Sequence, residues 1–286
     1  MAVPTYPPVI IIGMHRSGTS LLTRMLNCLG LFIGARRDVN DEAIFFQREN
    51  DWLLKQAGGT WDNPQSVGAL LAHCDRRSAC LRHLERRLRS PYLWRYLGMS
   101  QFLRYRSAFS LDFAWGWKDP CNTYTLPLWL QLYPDARVVH IRRHGVDVAQ
   151  SLVKRETGKE AADSIASTLG SGLRRLNGYP SRVAPSLCCE TLEGAFGLWE
   201  EYSAEARRHV GKLGPRAFEL SYEQLLEAPQ DQLRALCHFC GLHVEESAIG
   251  EVASMASRSR ARAFRRDDVL AAFAQRVRSR LAIYDY

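Results

Sequence analysis

Four consecutive β-branched apolar residues, Val9-Ile10-Ile11-Ile12, run without a spacer into Gly13-Met14-His15-Arg16-Ser17-Gly18-Thr19-Ser20. A short run with no polar alternate suits a strand buried on both faces, as in a parallel sheet. Thr19 to Leu29 then reads as a helix. A strand, a glycine-flanked turn and a helix in that order form an anion site. The turn points backbone N–H groups inward, and the helix adds the positive end of its dipole. The Gly13 to Gly18 spacing matches the phosphate loop G-x-x-x-x-G-K-[ST], but Thr19 stands where the lysine belongs and the cation comes earlier, at Arg16. A nucleoside-triphosphate enzyme needs that lysine across its β- and γ-phosphates. Arginine inside the loop, with Thr19 and Ser20 after it, suits a single phosphate carrying a charged leaving bond.

The rest of the chain alternates in the same way. Helices are expected at 40–57, at 76–107 (two, divided near Pro91), at 123–132 with Asn122 as cap, and at 146–154. Others are expected at 191–210, 222–227, 230–240 and 267–282. Strands are expected at 113–117, 136–141 and 216–220. Residues 156–187, rich in Gly, Ser and Thr toward the end, read as an irregular insert. The expected fold is a three-layer α/β/α arrangement around a central parallel sheet, with a phosphate-binding turn like a P-loop. Ligands in such sheets bind at the carboxyl ends of the strands. At 286 residues the chain suits one large domain. Residues 8–155 would be its binding core and 188–286 a helical region completing the site.

Composition excludes little and adds one hint. No apolar run approaches the ~18 residues of a membrane span, and no charged start leads into a long apolar stretch. The expectation is a cytoplasmic chain with its eight cysteines reduced. Cys237-x-x-Cys240 with His243 has metal-ligand spacing, but it lies in an apolar helical pattern with no second ligand pair, and no metal is expected. The formal charge is +8, and several arginines cluster at 82–95 and at 258–266. The first group reads as a solvated helix face, and no nucleic-acid motif accompanies it. A multiply anionic small ligand accounts for part of the charge without a polymer.

A second anion site follows the strand at 136–141. Arg143 ends that stretch and Ser151 lies eight residues on, in the next helix, a spacing that lets both close on one phosphate. This segment, Ala136 to Leu152, resembles the 3′-phosphate motif of the sulfotransferases that use 3′-phosphoadenosine 5′-phosphosulfate (PAPS). Gly145 stands where that family usually has proline. The first loop resembles the family's 5′-phosphosulfate loop, P-[RK]-[ST]-G-[ST]-[ST], with His15 in place of proline. Trp115 to Pro120 looks like the W-x-x-K-D-P segment of bacterial members. Leu220 to Pro229 looks like Y-E-D-L-x-x-x-P, whose tyrosine (here Tyr222) contacts adenine. Ser257 to Arg266 sits where the family has a basic loop over the 3′-phosphate, with Arg258 and Arg260 as candidates.

The resemblance implies sulfuryl transfer to a hydroxyl by in-line displacement, releasing adenosine 3′,5′-bisphosphate with no metal required. His15, Arg16, Ser17, Gly18, Thr19 and Ser20 would bind the donor's 5′ side. Arg143, Ser151, Tyr222, Arg258 and Arg260 would bind the rest. Arg16 and Lys118 would serve the chemistry. The acceptor hydroxyl needs a general base, which family members place ~20–30 residues after the loop. Asp38, Asp41, Glu42 and Glu49 are in range, Glu42 is preferred and Glu49 second, and His140 or His144 stays open. The competing readings are a P-loop kinase or nucleotide hydrolase, with Asp119 as metal ligand, and a silent PAPS-binding protein. The acceptor (small molecule, sugar, lipid or peptide) and the oligomeric state are not legible. Phe45, Phe46, Trp52 and Trp61 hint at an aromatic acceptor wall.

Overall fold

The structure, a computed structural model, describes residues 6–168, 186–257 and 261–286. It groups into two compact units, Met1–Arg143 with Tyr202–Ala261, and His144–Glu201 with Arg262–Tyr286. Among the described residues no helix is long and apolar enough to cross a membrane.

The first unit is built on a parallel four-stranded sheet in the order β2-β1-β3-β4, with β1 Val9–Ile12, β2 Gly116–Lys118, β3 Arg137–Arg142 and β4 Ala217–Ser221. Side chains alternate across a strand, and the two faces receive different partners. Ile10, Ile12, Trp117 and Val138 face α2 (Ile44–Gln56), α4 (Cys74–Leu88), α5 (Trp94–Tyr105) and α6 (Asn122–Leu132). Val9, Ile11, Val139, Ile141 and Leu220 face α1 (Thr19–Cys28), α9 (Tyr222–Glu227), α10 (Pro229–Cys240) and α11 (Glu246–Ala253). These are the three expected layers. Strands covered on both faces need no polar alternates, which is why β1 reads as an unbroken apolar run. On the first face, Phe46 stacks on Trp117 with centroids 4.0 Å apart, and Trp115 lies 5.8 Å from Trp117. Each such pair adds about 0.5–1.5 kcal/mol beyond the area it buries. Cys237 and Cys240 are buried on α10 in the second face, where burial pushes both thiols up.

Several expectations need correction. The second strand is Gly116–Lys118, shorter than expected, and Trp115 just before it forms an isolated parallel bridge with Phe32, whose N–H donates to Ala114 O (3.0 Å) and whose carbonyl accepts from Gly116 N–H (2.9 Å). Asn122 does not cap α6. It is the first residue of that helix, and its side chain is used across the sheet. Two short helices had no clear period, α3 (Val67–Ala72) and α11.

The second unit begins with α7, Gly145–Thr168. Residues 156–168, expected to be irregular, continue this helix. Gly158 costs only about 1 kcal/mol relative to alanine, and Lys159-Glu160-Ala161-Ala162 are good helix formers. Residues 169–185 of the expected insert lie outside the described residues. Gly145 is packed against two rings: a methyl group there would lie 2.6 Å from Trp199 and 2.7 Å from Phe196. That is a steric reason for glycine where the family pattern has proline. Asp147 accepts from the backbone N–H groups of Ala263 (3.2 Å) and Phe264 (2.8 Å), and His144 stacks on Phe264 at 4.1 Å. Helix α8, Leu192–Leu213, contributes residues to both units, and α12 (Asp268–Arg276) and α13 (Arg278–Ala282) complete the second.

Candidate active site

The loop after β1 turns through three residues with positive φ, Gly13 (φ 136°), Arg16 (φ 68°) and Gly18 (φ 92°). Gly18 is required sterically, since a Cβ there would lie 2.2 Å from the Tyr222 ring. Gly13 N–H donates to Thr123 Oγ1 (3.3 Å), which fixes the loop's entry. No side chain caps α1, and its first turn carries no acidic residue. Ser17 Oγ is buried and has no hydrogen-bond partner among the described residues. An uncapped helix start beside an orphaned hydroxyl is a place where an anionic ligand gains bonds that the protein alone leaves unmade.

Two further anchors close on this loop. Arg143, at the end of β3, donates from Nη1 to Arg16 O (3.1 Å), and its guanidinium lies 4.8 Å from the centre of the Tyr222 ring. Tyr222 opens α9, whose start is fixed by a capping box: Gln224 N–H donates to Ser221 Oγ (3.0 Å). Register therefore places Arg16, Gly18, Arg143 and Tyr222 together, although they are more than 200 residues apart in sequence at the extremes.

On the other side of the loop stands a buried ion pair. Lys118, at the end of β2, is 1% exposed. Its Nζ donates to Asn40 O (2.7 Å), Glu42 Oε1 (3.0 Å) and Ser20 Oγ (3.4 Å). Glu42 Oε2 accepts from Gln47 Nε2 (2.8 Å), and Glu42 N–H donates to Asp38 Oδ1 (2.8 Å). Burial and the negative charge of Asp119 push the Glu42 carboxyl up to about 7, with Lys118 pulling the other way. A carboxyl poised there is half ionised at neutral pH, as a general base requires. Asp119 is held by Asn50 Nδ2 (2.8 Å) and Cys121 N–H (2.9 Å). Asn50 also donates to Asn122 Oδ1 (2.7 Å) and accepts from Thr125 Oγ1 (2.8 Å) and Trp129 Nε1 (2.9 Å). This network fixes the strand end that carries Lys118.

The family model described as "Sulfotransferase family" matches residues 7–246, which is most of the chain. The chain belongs to the sulfotransferase family. A curated relative from Aquifex aeolicus (strain VF5), described as an uncharacterized protein, is 25% identical over 252 residues. That match takes in 86% of this chain, which spans about a quarter of the relative's length (27%). Among solved structures, the chain is similar to the sulfotransferase domain from the curacin biosynthetic pathway (18% identity, 90% of this chain and 81% of that one, TM-score 0.47). It is similar also to a sulfotransferase from Alicyclobacillus acidocaldarius (16% identity, 85% and 86%, TM-score 0.47).

Within this member of the sulfotransferase family the expected site residues fall into three groups. His15 to Ser20, Glu42, Lys118, Arg143 and Tyr222 are gathered in the first unit. Ser151 lies on α7 in the second unit. Arg258 and Arg260 lie outside the described residues. Among the other base candidates, Glu49 is buried against Arg87 Nε (2.7 Å) and His83 Nε2 (3.0 Å) on α4. His140 Nδ1 pairs with Glu219 (2.8 Å). Asp41 pairs with Arg24 (2.9 Å), and Asp38 shapes the turn before Glu42. The aromatic wall divides: Phe45 and Phe46 are core, Trp52 stacks on His83 at 3.7 Å, and Trp61 alone lies beside the loop, 4.9 Å from His15. Sequence reading missed Tyr202, whose hydroxyl donates to Trp61 O (2.6 Å) and whose ring lies 6.1 Å from His15. It also missed Asn40, Gln47 and Asn50, for which no motif gave a signal.

Proposed function

We propose that this chain transfers a sulfuryl group from PAPS to a hydroxyl acceptor, with Glu42 as general base. The observation that carries the reading is the Glu42–Lys118 pair. It sets a carboxyl with a neutral-range pKa in contact, through Lys118, with Ser20 at the end of the anion loop. The orphaned Ser17 hydroxyl and the uncapped start of α1 fit a phosphosulfate. PAPS supplies an activated sulfuryl group on an anhydride bond. Arg16 and the N–H groups of residues 17–20 orient that end and stabilise the charge that grows on the leaving phosphate. Arg143 takes the 3′-phosphate and the Tyr222 ring lies against adenine. The assignment of Ser151, Arg258 and Arg260 to the 3′-phosphate rests on the sequence motif alone. Glu42 removes the acceptor proton as the oxygen attacks. Lys118 keeps that carboxylate aimed and limits how far burial raises its pKa. No residue in this scheme needs a metal ion.

Calorimetry tests the donor site. Adenosine 3′,5′-bisphosphate should bind without metal, weakly or not at all to Arg143→Ala, and in preference to ATP or GTP with Mg²⁺. Preference for a triphosphate with Mg²⁺ would overturn the reading in favour of a kinase or nucleotide hydrolase.

A further inference from the structure

The segment from Cys74 to Arg106 holds nine arginines against Asp75 and Glu85, a net charge of +7 in a chain whose whole formal charge is +8. None of these residues takes part in the proposed chemistry, and the segment lies entirely in the first unit. Helix α4 is amphipathic: Cys80, Leu84 and Leu88 are buried, while Arg76, Arg82, Arg86 and Arg89 are exposed. Arg89 is paired with Glu85 (3.2 Å). Among the described residues no ion pair engages Arg76, Arg82, Arg86 or Arg106, so their charge is not neutralised within the protein.

The adjoining segment adds an apolar component. Tyr92 is 51% exposed, and Met99 and Leu103, four residues apart on α5, are each 59% exposed. Residues four apart share a helix face. Arg104, beside Leu103, has a side chain 66% exposed and pairs with Asp112 (3.5 Å), while Arg106, two residues on, is exposed and has no ion pair among the described residues. At the corner between α4 and α5, the guanidiniums of Arg87 and Arg95 lie 4.5 and 5.0 Å from the centre of the Tyr92 ring. Exposed apolar side chains in the same segment as exposed arginines that lack an ion pair have the chemistry of a peripheral bilayer contact. The arginines meet anionic headgroups, and the apolar residues enter the boundary with the acyl chains. A nucleic acid would satisfy the arginines but would leave Met99 and Leu103 without an apolar partner.

We propose that the α4–α5 segment docks this protein on an anionic lipid bilayer. The test is co-sedimentation with vesicles of phosphatidylcholine alone and of phosphatidylcholine mixed with phosphatidylserine, at low and physiological ionic strength. The protein should bind the mixed vesicles and not the neutral ones, and less at higher salt because exposed charges are screened over ~8 Å. Arg82→Gln with Arg86→Gln should lower the partition coefficient about 25-fold, roughly five-fold per arginine. Met99→Asp with Leu103→Asp should weaken binding at both ionic strengths. All four side chains are exposed, so both double variants should keep the wild-type melting temperature. Equal binding to both vesicle types would overturn the proposal. So would binding that ignores the Met99/Leu103 change and is matched by duplex DNA, which would mark a polyanion site. Self-association in solution that is abolished by that same change would overturn it as well, by assigning the face to a second copy.

Discussion

Replacing Lys118 with methionine separates the charge of that residue from its bulk and tests how Glu42 is tuned. In the wild type the carboxyl sits at about 7, raised by burial and by Asp119 and lowered by Lys118. In the proposed mechanism activity needs the carboxylate, so kcat/KM should rise with pH through a midpoint near 7 and be lost as pH falls through it. The 3.0 Å contact between Lys118 Nζ and Glu42 Oε1 would be worth roughly 5 kcal/mol at an effective dielectric of 20, an upper bound. An opposite charge at that range shifts a carboxyl by about 1–3 units. Lys118→Met should therefore move the acid limb to roughly 8–10, whatever it does to the height of the plateau. Glu42→Gln should abolish the limb and lower kcat by about 10²–10⁴. The assay is kcat/KM against pH for the three proteins, with release of adenosine 3′,5′-bisphosphate as the readout. A wild-type midpoint near the ordinary glutamate value, or a limb that Lys118→Met leaves in place, would refute this account of the base.

Three other outcomes follow from particular contacts. Arg143→Ala removes a charged donor, and calorimetry should show binding of adenosine 3′,5′-bisphosphate weakened by about 10- to 100-fold, as expected for a charge-assisted hydrogen bond. Glu49→Gln should lower stability by about 1–3 kcal/mol in urea titrations, because it loosens the buried pair with Arg87 and His83, while the midpoint near 7 stays where it is. Asn50→Leu strands polar groups of Asp119, Asn122, Thr125 and Trp129, and should cost about 3 kcal/mol or more in the same titration.

What was legible in the sequence follows the range of the interactions involved. β1, the loop and α1 are set by neighbours in the chain, and their boundaries were read within a residue or two. The same holds for Arg143 and Tyr222, each fixed by a strand end. Local pattern failed where a distant partner decides. Phe32, from outside the segment, pairs with Trp115 at the entry to β2. Asn122 looks like a cap, yet its side chain donates to Ile11 O (3.2 Å) and accepts from Trp117 Nε1 (3.0 Å). The preference for Glu42 over Glu49 rests on spacing, which is blind to the surroundings of either. Both are buried glutamates near α2, and what distinguishes them is that Glu49 meets α4 arginine and histidine, whereas Glu42 meets the lysine of β2. Asn50 carries four buried hydrogen bonds and has no sequence signature at all, because a lone asparagine in a helix is ordinarily a solvated one.

The missing loop lysine takes on a definite meaning once the strands are in register. The loop has threonine at that position, and its positive neighbour comes instead from β2, where Ile11 pairs with Lys118. A P-loop lysine reaches along the phosphate chain. Lys118 is instead occupied by Asn40 O, Glu42 and Ser20, with 1% of its surface exposed. Its charge is spent on the carboxyl and on the helix start. Asp119, the residue a kinase would use for a metal, has one oxygen on Asn50 and the other on Cys121 N–H, and burial raises its pKa. A carboxyl engaged through both oxygens is a poor cation ligand, whereas in its ionised form it is a negative neighbour for Glu42. Burial is the main force that lifts Glu42 to about 7, and the two adjacent residues act on it in opposite directions, Asp119 adding to the rise and Lys118 opposing it. That arrangement suits removal of a proton from a hydroxyl at neutral pH better than it suits holding a metal-bound triphosphate.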